Sequence, residues 1–231
     1  MDIFGPAWQG YTDRMEKNWR ALVGKDDLVL IPGDISWAMH LEEALVDLRW
    51  IDSLPGTKVI LRGNHDYWWS SNQKMAKAMP PSIHFIHNNA FLWKDVAIGG
   101  SRLWDSRSEY TFDDYVHFQA NPKAKKKEKD ETIDSEKIFL RELDRLKLSL
   151  SQMSGTAKVR IALTHYPPIS ADMRPSRASA ILESYHIDYC VFGHLHNLKK
   201  GVPMFGEARG VRYFLTSCDY LDFTPIKILE T

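Results

Sequence analysis

The sequence predicts an α/β (α+β) protein in which two mixed β-sheets pack as a sandwich with helices on the outside. Two kinds of connection point to this. A strand–helix–strand order occurs early in the chain, and pairs of apolar runs around polar turns occur later, a mixture that favours two packed sheets. A third observation concerns where the apolar runs stop. Asp34 closes DLVLIPGD, Asn64 and His65 close TKVILRGNHD, His165 closes VRIALTHYPP, and His194 and His196 close DYCVFGHLH. Buried strands that each release a polar side chain at the carboxyl end are what an open α/β sheet presents at its binding crevice.

Taken in order, residues 12–23 place Met15, Trp19 and Leu22 at helical spacing, with Gly24 as a stop. A strand is expected at 28–31. Leu41, Ala44, Leu45, Leu48 and Ile51 then line one helical face until Pro55-Gly56 breaks the pattern. A strand at 58–61 completes a βαβ unit. HFIHNNAFLW and DVAIGGSRLW read as two more strands around a polar turn. Phe139, Leu143, Leu146 and Leu150 fall in register on a second long helix that ends near Gly155. The strands carrying His165 and His194 follow, with a helix between 175 and 184. The tail, GVPMFGEARGVRYFLTSCDYLDFTPIKILE, reads as antiparallel strands. One domain, 1–231, is the simplest account, and there is no internal repeat.

Bulk composition excludes several classes. Lys plus Arg and Asp plus Glu both number 30, which argues against a nucleic-acid groove but not against a small phosphorylated substrate. No apolar stretch approaches membrane-spanning length, and the amino end has no leader pattern, so the expected location is cytoplasmic and off the membrane. Cys190 and Cys218 are too few for a disulfide framework and read as buried thiols. The lysine cluster Lys123, Lys125, Lys126, Lys127 and Lys129 reads first as a solvated loop.

The chemistry of the strand ends is that of a cation site. Asp34 offers an anionic oxygen, Asn64 a carbonyl oxygen, and His165, His194 and His196 imidazole nitrogens. That mixed set suits manganese, iron, zinc or nickel better than calcium. His194 and His196 point the same way only on an extended or loop backbone. Gly33, Gly63 and Gly193 precede candidate ligands, where a missing side chain allows a sharp turn and lets a substrate come close.

GDISW, RGNHD, THYPP and GHLH, in that order, resemble the second to fifth motifs of the calcineurin-like metallophosphoesterases. The resemblance implies a four-layer αββα sandwich and hydrolysis of phosphate mono- or diesters by a water activated between two divalent ions. It gives Asp34 the bridging position and places Asn64, His165 and His194 on one metal, with His196 on the other. It makes His65 a catalytic group that protonates the leaving oxygen or holds the phosphate, with Asp66 placed to orient it. Arg62 matches a phosphate-contacting arginine of one branch. The implied partner is a phosphorylated small molecule.

The family's first motif, Asp-x-His, has no counterpart upstream of Asp34. One metal then keeps four protein ligands, while the other keeps Asp34 and His196 and borrows, at most, a group such as Asp105 or His117. The expectation is that Met1 is an internal methionine of a longer product, that the sheet lacks its first strand, and that activity is impaired. A non-catalytic metal- or phosphate-binding module is the rival reading. Trp68 and Trp69 either wall a substrate pocket or pack beneath the loop. Arg102 and Trp104, and Arg174 and Arg177 after THYPP, are further candidates for substrate contact. His40, His84, His87, His117 and His186 are expected in structural positions.

Overall fold

The early strand–helix–strand unit forms as its hydrophobic spacing predicts. In the computed structural model, which describes residues 8–105, 108–117 and 131–230, α1 (Tyr11–Leu22) precedes β1 (Leu28–Ile31), α2 (Leu41–Ser53) and β2 (Thr57–Leu61). The expected stripe of α2 buries Ala44, Leu48 and Ile51, and His40 with Glu43 forms a capping box at its start. Trp19 fastens α1 to the turn after α2 by donating Nε1 to the Pro55 carbonyl at 2.9 Å. β1 and β2 pair in parallel, Leu28 opposite Thr57, as a helical crossover requires.

The next stretch differs from expectation. A short helix, α3 (Asn72–Ala78), intervenes with only Met75 fully buried, too little apolar periodicity to signal itself. HFIHNNAFLW is not one strand but two, in different sheets. β3 (Ile83–Ile86) pairs parallel to β2, whereas β4 (Phe91–Trp93) pairs antiparallel to β5 (Val96–Ser101). The change of sheet occurs at Asn88, whose φ of 62° a short polar side chain tolerates. Asn89 closes the turn by accepting the His87 N–H at 2.6 Å.

The second half runs α4 (Glu131–Ser151), β6 (Val159–Thr164), α5 (Arg177–Ser184), β7 (Tyr189–Phe192), β8 (Glu207–Ala208) and β9 (Val211–Leu215). Both helices were expected. The tail is only partly antiparallel: β8 and β9 form a hairpin, but β9 lies parallel to β7. The 193–206 segment carries the chain back to the amino end of β7 before β9 begins, so the new strand runs the same way. No strand follows Leu215 among the described residues.

The strands form a three-stranded parallel sheet, β1-β2-β3, and a six-stranded mixed sheet, β4-β5-β6-β7-β9-β8. Val59, Leu61 and Ile86 of the first meet Val96, Ile98, Ile161, Leu163 and Val191 of the second in a buried inter-sheet core. Alternation along β2 sends Ile60 the other way, against Ala44, Leu48 and Met75 of α2 and α3. On the far side, Phe139, Leu143, Leu146, Leu150 and Leu182 of α4 and α5 cover Ala97, Ala162 and Cys190. The result is the expected αββα layering. Among the described residues no helix is long and apolar enough to cross a membrane.

Candidate metal centre

The carboxyl ends of β1, β2, β6 and β7 lie at one edge of the sandwich, and the side chains that follow them converge there. Asn64 is the hub. Its Oδ1 lies 2.6 Å from His165 Nε2 and 3.0 Å from His194 Nδ1. The two imidazole nitrogens are 3.3 Å apart, and Asp34 Oδ2 is 3.5 Å from His165 Nε2. Among the described residues, no three His, Cys, Asp or Glu side chains form such a group without the asparagine.

Two of these separations, 3.0 and 3.3 Å, are those expected of donors around one ion, while 2.6 Å is shorter and 3.5 Å slightly longer. Donors about 2.1 Å from a common ion stand roughly 3.0–3.4 Å from one another in octahedral or tetrahedral geometry. Lone-pair chemistry supports the fit. His165 Nδ1 lies 2.8 Å from the Pro32 carbonyl, which can only accept, so the proton sits on Nδ1 and Nε2 presents a lone pair. That lone pair faces the Asn64 oxygen. Burial lowers the pKa of His165 and of His194 to about 3, so both rings are neutral near pH 7. An imidazole lone pair directed at a carbonyl oxygen is the arrangement a cation between them would reward. The residues present therefore fit a divalent ion bound by nitrogen and oxygen donors.

The loops that hold this cluster are tightly braced. Asp66 is buried and accepts five N–H groups: Gly63 at 2.7 Å, Asp34 and Ile35 at 2.9 Å, Trp68 Nε1 at 3.0 Å and Ser36 at 3.1 Å. Burial pushes its carboxyl above the ordinary range, the bonds from Gly63, Ser36 and Ile35 pull it down, and the Asp34 charge adds to the rise. Every one of the five partners is a donor, so the contacts themselves favour the ionised form. The loops also approach each other too closely for side chains. A Cβ on Gly63 would lie 2.0 Å from Asp34 Oδ1, and one on Gly33 would lie 2.6 Å from the Gly63 nitrogen. These two glycines admit a neighbouring ligand loop rather than a substrate, and Gly193 has only ordinary contacts. Asp34 and His194 adopt φ of 56° and 69°, left-handed values that non-glycine residues hold at a cost of about 1–3 kcal/mol.

Other sequence candidates fall elsewhere. Asp66 makes no hydrogen bond to the His65 ring, because both of its oxygens are occupied by backbone and indole donors. The His65 ring stacks beside Trp37 at 5.0 Å, and Tyr67 Oη lies 3.4 Å from its Nδ1. His196 is outside the four-donor group; its Nδ1 is 2.7 Å from Asp219 Oδ1 and its ring meets Trp8 edge-on. Asp219, in a tail read only for strands, had no sequence signal of its own. Neither Asp105 nor His117 pairs with His196. Trp68 and Trp69 are buried against the α2–α3 layer, beneath the loop. Arg177 is held by Glu109 and Glu136, and Arg174 by Asp172, which leaves neither directed at a phosphate. Arg62 and Arg102 line a separate small cavity that none of the four donors lines. The lysine cluster and residues 1–7 lie outside the described residues.

Beside His194 an open cleft of about 520 Å³ is lined by Trp104, Tyr110, Phe112, Tyr166 and Asp105 among others. Tyr166 packs on the His194 ring at 3.9 Å and Trp104 on Tyr166 at 5.2 Å, so an aromatic wall runs outward from the cluster.

Fold and site together define a two-sheet α/β sandwich with a mixed nitrogen–oxygen donor cluster where four parallel strand ends meet. The chain belongs to the calcineurin-like phosphoesterases, whose family pattern it matches over residues 5–198. It is 44% identical over 52 residues to the Gene 66 protein of Mycobacterium phage L5, a stretch that is 22% of this chain and 25% of the phage protein. The chain thus matches about a quarter of the length of that curated relative. Among solved structures it is similar to the protein TT1561 of Thermus thermophilus, with a TM-score of 0.45 and 11% identity over 81% of this chain and 77% of that one.

Proposed function

We propose that this chain hydrolyses phosphate mono- or diesters of small molecules with a divalent cation held by Asp34, Asn64, His165 and His194. The observation that supports this reading is the closing of four donors, from four strand ends in two sheets, to separations of 2.6–3.5 Å. Manganese, iron, zinc or nickel suits the donor set. Such an ion supplies Lewis acidity toward phosphoryl oxygens and lowers the pKa of water.

The remaining steps belong to the protein. His65 follows Asn64 directly; Tyr67 Oη lies 3.4 Å from its Nδ1, which leaves Nε2 of the imidazolium form to give a proton to the departing alcohol oxygen. Positioned general acids contribute about 10²–10⁴-fold. Asp66 positions this loop through its backbone rather than through the His65 ring. The aromatic cleft beside His194 receives the organic part of the ester. His196, its ring fixed by Asp219, joins Asp34 at a second ion position. With those two donors alone among the described residues, that position is weak and turnover is correspondingly low.

The same incomplete position favours the second reading, a metal- or phosphate-binding module without turnover. Manganese titration by calorimetry, combined with hydrolysis of p-nitrophenyl and bis-p-nitrophenyl phosphate, separates the two. A tightly bound first ion, with hydrolysis lost in Asn64→Ala, supports the enzyme. Binding without hydrolysis supports the module, and absence of both rejects the cation site.

A further inference from the structure

Two sets of aromatic side chains flank the donor cluster, and they come from different sheets. Trp37 follows β1 and Tyr67 follows β2, in the three-stranded sheet. Their rings stand 5.0 and 6.1 Å from that of His65. Trp104, Tyr166 and His194 follow β5, β6 and β7, in the six-stranded sheet, and belong to the open cleft. No residue of the loops after β1 and β2 lines that cleft. The cleft thus meets the donors at His194. The Trp37–Tyr67 surface meets them at Asp34 and Asn64, since His65 follows Asn64 and its backbone N–H donates to Asp34 Oδ1 at 2.9 Å.

Exposure sets Trp37 and Tyr67 apart. They are 45% and 52% exposed, whereas Trp68 and Trp69, next along the chain, are 2% and 8% exposed. Large rings left open beside a reaction centre can hold a flat group of the ligand by stacking. Charge adds a second constraint. No lysine or arginine lines the cleft among the described residues. Arg102 pairs with Glu142 at 3.7 Å, and Arg174 and Arg177 are held by carboxylates of their own. A divalent ion in the four-donor position, set against the Asp34 carboxylate, leaves one net positive charge. That balances a singly charged phosphodiester, whereas a monoester, doubly charged above its second pKa of about 6, keeps one charge uncompensated.

We propose that the site takes small phosphodiesters with a flat ring on each arm, one in the Trp104–Tyr166 cleft and the other on Trp37 and Tyr67. This narrows the proposed function and rests on it. The step is unchanged: a water oxygen joins phosphorus, one P–O bond breaks, and the diester becomes an alcohol and a monoester. Of the water's two protons, one reaches the alcohol by way of His65 and the other goes to solvent.

The test uses the full chain loaded with manganese and two ligands whose P–C bonds resist hydrolysis. Dibenzylphosphinate carries two ring arms and one charge. Benzylphosphonate carries one arm and, in mildly alkaline buffer, two charges. Calorimetric titrations are repeated on Trp37→Ala, Trp37→Phe and Trp104→Ala, and circular dichroism melts establish that each variant is folded. The parent should bind dibenzylphosphinate about tenfold or more tightly than benzylphosphonate. Trp37→Ala should erase that advantage by weakening the two-armed ligand alone, Trp37→Phe should keep most of it, and Trp104→Ala should weaken both ligands. A parent that takes up manganese yet binds benzylphosphonate as well as dibenzylphosphinate, or binds neither, overturns the diester inference and leaves the cation site standing. Equal losses for the two ligands in Trp37→Ala overturn the second ring surface, because Trp37 would then act on the shared centre. Failure to take up manganese rejects the proposed function, and this inference falls with it.

Discussion

Replacing Asp66 with asparagine separates two roles that adjacency in RGNHD does not distinguish. If Asp66 oriented the His65 ring, Asp66→Asn would lower turnover and leave the fold intact. The geometry gives another outcome. Oδ1 accepts from Ile35, Ser36 and the Trp68 indole, and Oδ2 from Asp34 and Gly63. An amide keeps one oxygen, which is best placed toward the three donors on the Oδ1 side. Its NH₂ then faces the N–H groups of Asp34 and Gly63, donor against donor, in a buried site. Each hydrogen bond to a charged group contributes about 1.5–3 kcal/mol, so losing two costs roughly 3–6 kcal/mol. Whole-protein stability is about 5–15 kcal/mol, so the variant should unfold at much lower urea. Because Asp34 and Gly63 are the residues released, metal affinity should fall in the same variant. Urea melts on the metal-free protein give the first quantity and manganese calorimetry the second. A stability loss under about 1 kcal/mol, with metal affinity unchanged, would refute the bracing role and return Asp66 to the side of His65.

The remaining predictions concern the same edge. Adding manganese to chelator-treated protein should raise the melting temperature, by a stabilisation of about 2.7 kcal/mol at roughly a hundred times the dissociation constant; Asn64→Ala should abolish the shift, and an unchanged shift would remove Asn64 from the site. Gly63→Ala sets a methyl 2.0 Å from Asp34 Oδ1 and 2.2 Å from its nitrogen, so metal affinity should drop at least tenfold in calorimetry. A parent-like value there would mean that the two loops are not in contact. Asp219→Asn should weaken a second manganese ion and spare the first, read as loss of the lower-affinity phase in the titration. Trp104→Ala should lower kcat/KM for an aryl phosphate more than for an alkyl one, and equal losses would place the organic group outside the aromatic cleft.

The convergence of the strand-end candidates was legible in the sequence because each lay at the end of an apolar run, where the carboxyl edge of a parallel strand presents a polar side chain. Asp34, Asn64, His165 and His194 shared that mark, and these are the four that the fold brings together. The helices α2 and α4 were legible for a related reason, since their apolar stripes are long enough for a 3.6-residue period to stand out. What did not show was set by partners distant in sequence. Asp219 matters through a single contact with His196, 23 residues earlier. Arg62 sits two residues before Asn64, yet its side chain lines a cavity with Arg102 and Arg145 instead. Asp66 looked like an accessory to His65 because sequence shows adjacency and not which way a carboxylate is turned. The division of HFIHNNAFLW between two sheets depended on the backbone of Asn88, one residue whose unusual φ no periodicity reports.

The donor set also links the two halves of the sandwich. Asp34 and Asn64 follow strands of the three-stranded sheet, while His165 and His194 follow strands of the six-stranded one. An ion held by all four would therefore join the two sheets at the edge where their loops meet, beyond the apolar core of Val59, Leu61, Ile98 and Leu163. Asn64 Oδ1 and the two imidazoles meet at that edge within 2.6–3.3 Å of one another. Metal binding at this place should then be coupled to the closure of the sandwich, and its free energy should appear partly as folding stability. Hydrogen exchange distinguishes this from a site carried by either sheet alone. Adding manganese should slow exchange in the loops after both β2 and β7, and protection confined to one of them would mean that the other sheet contributes no ligand.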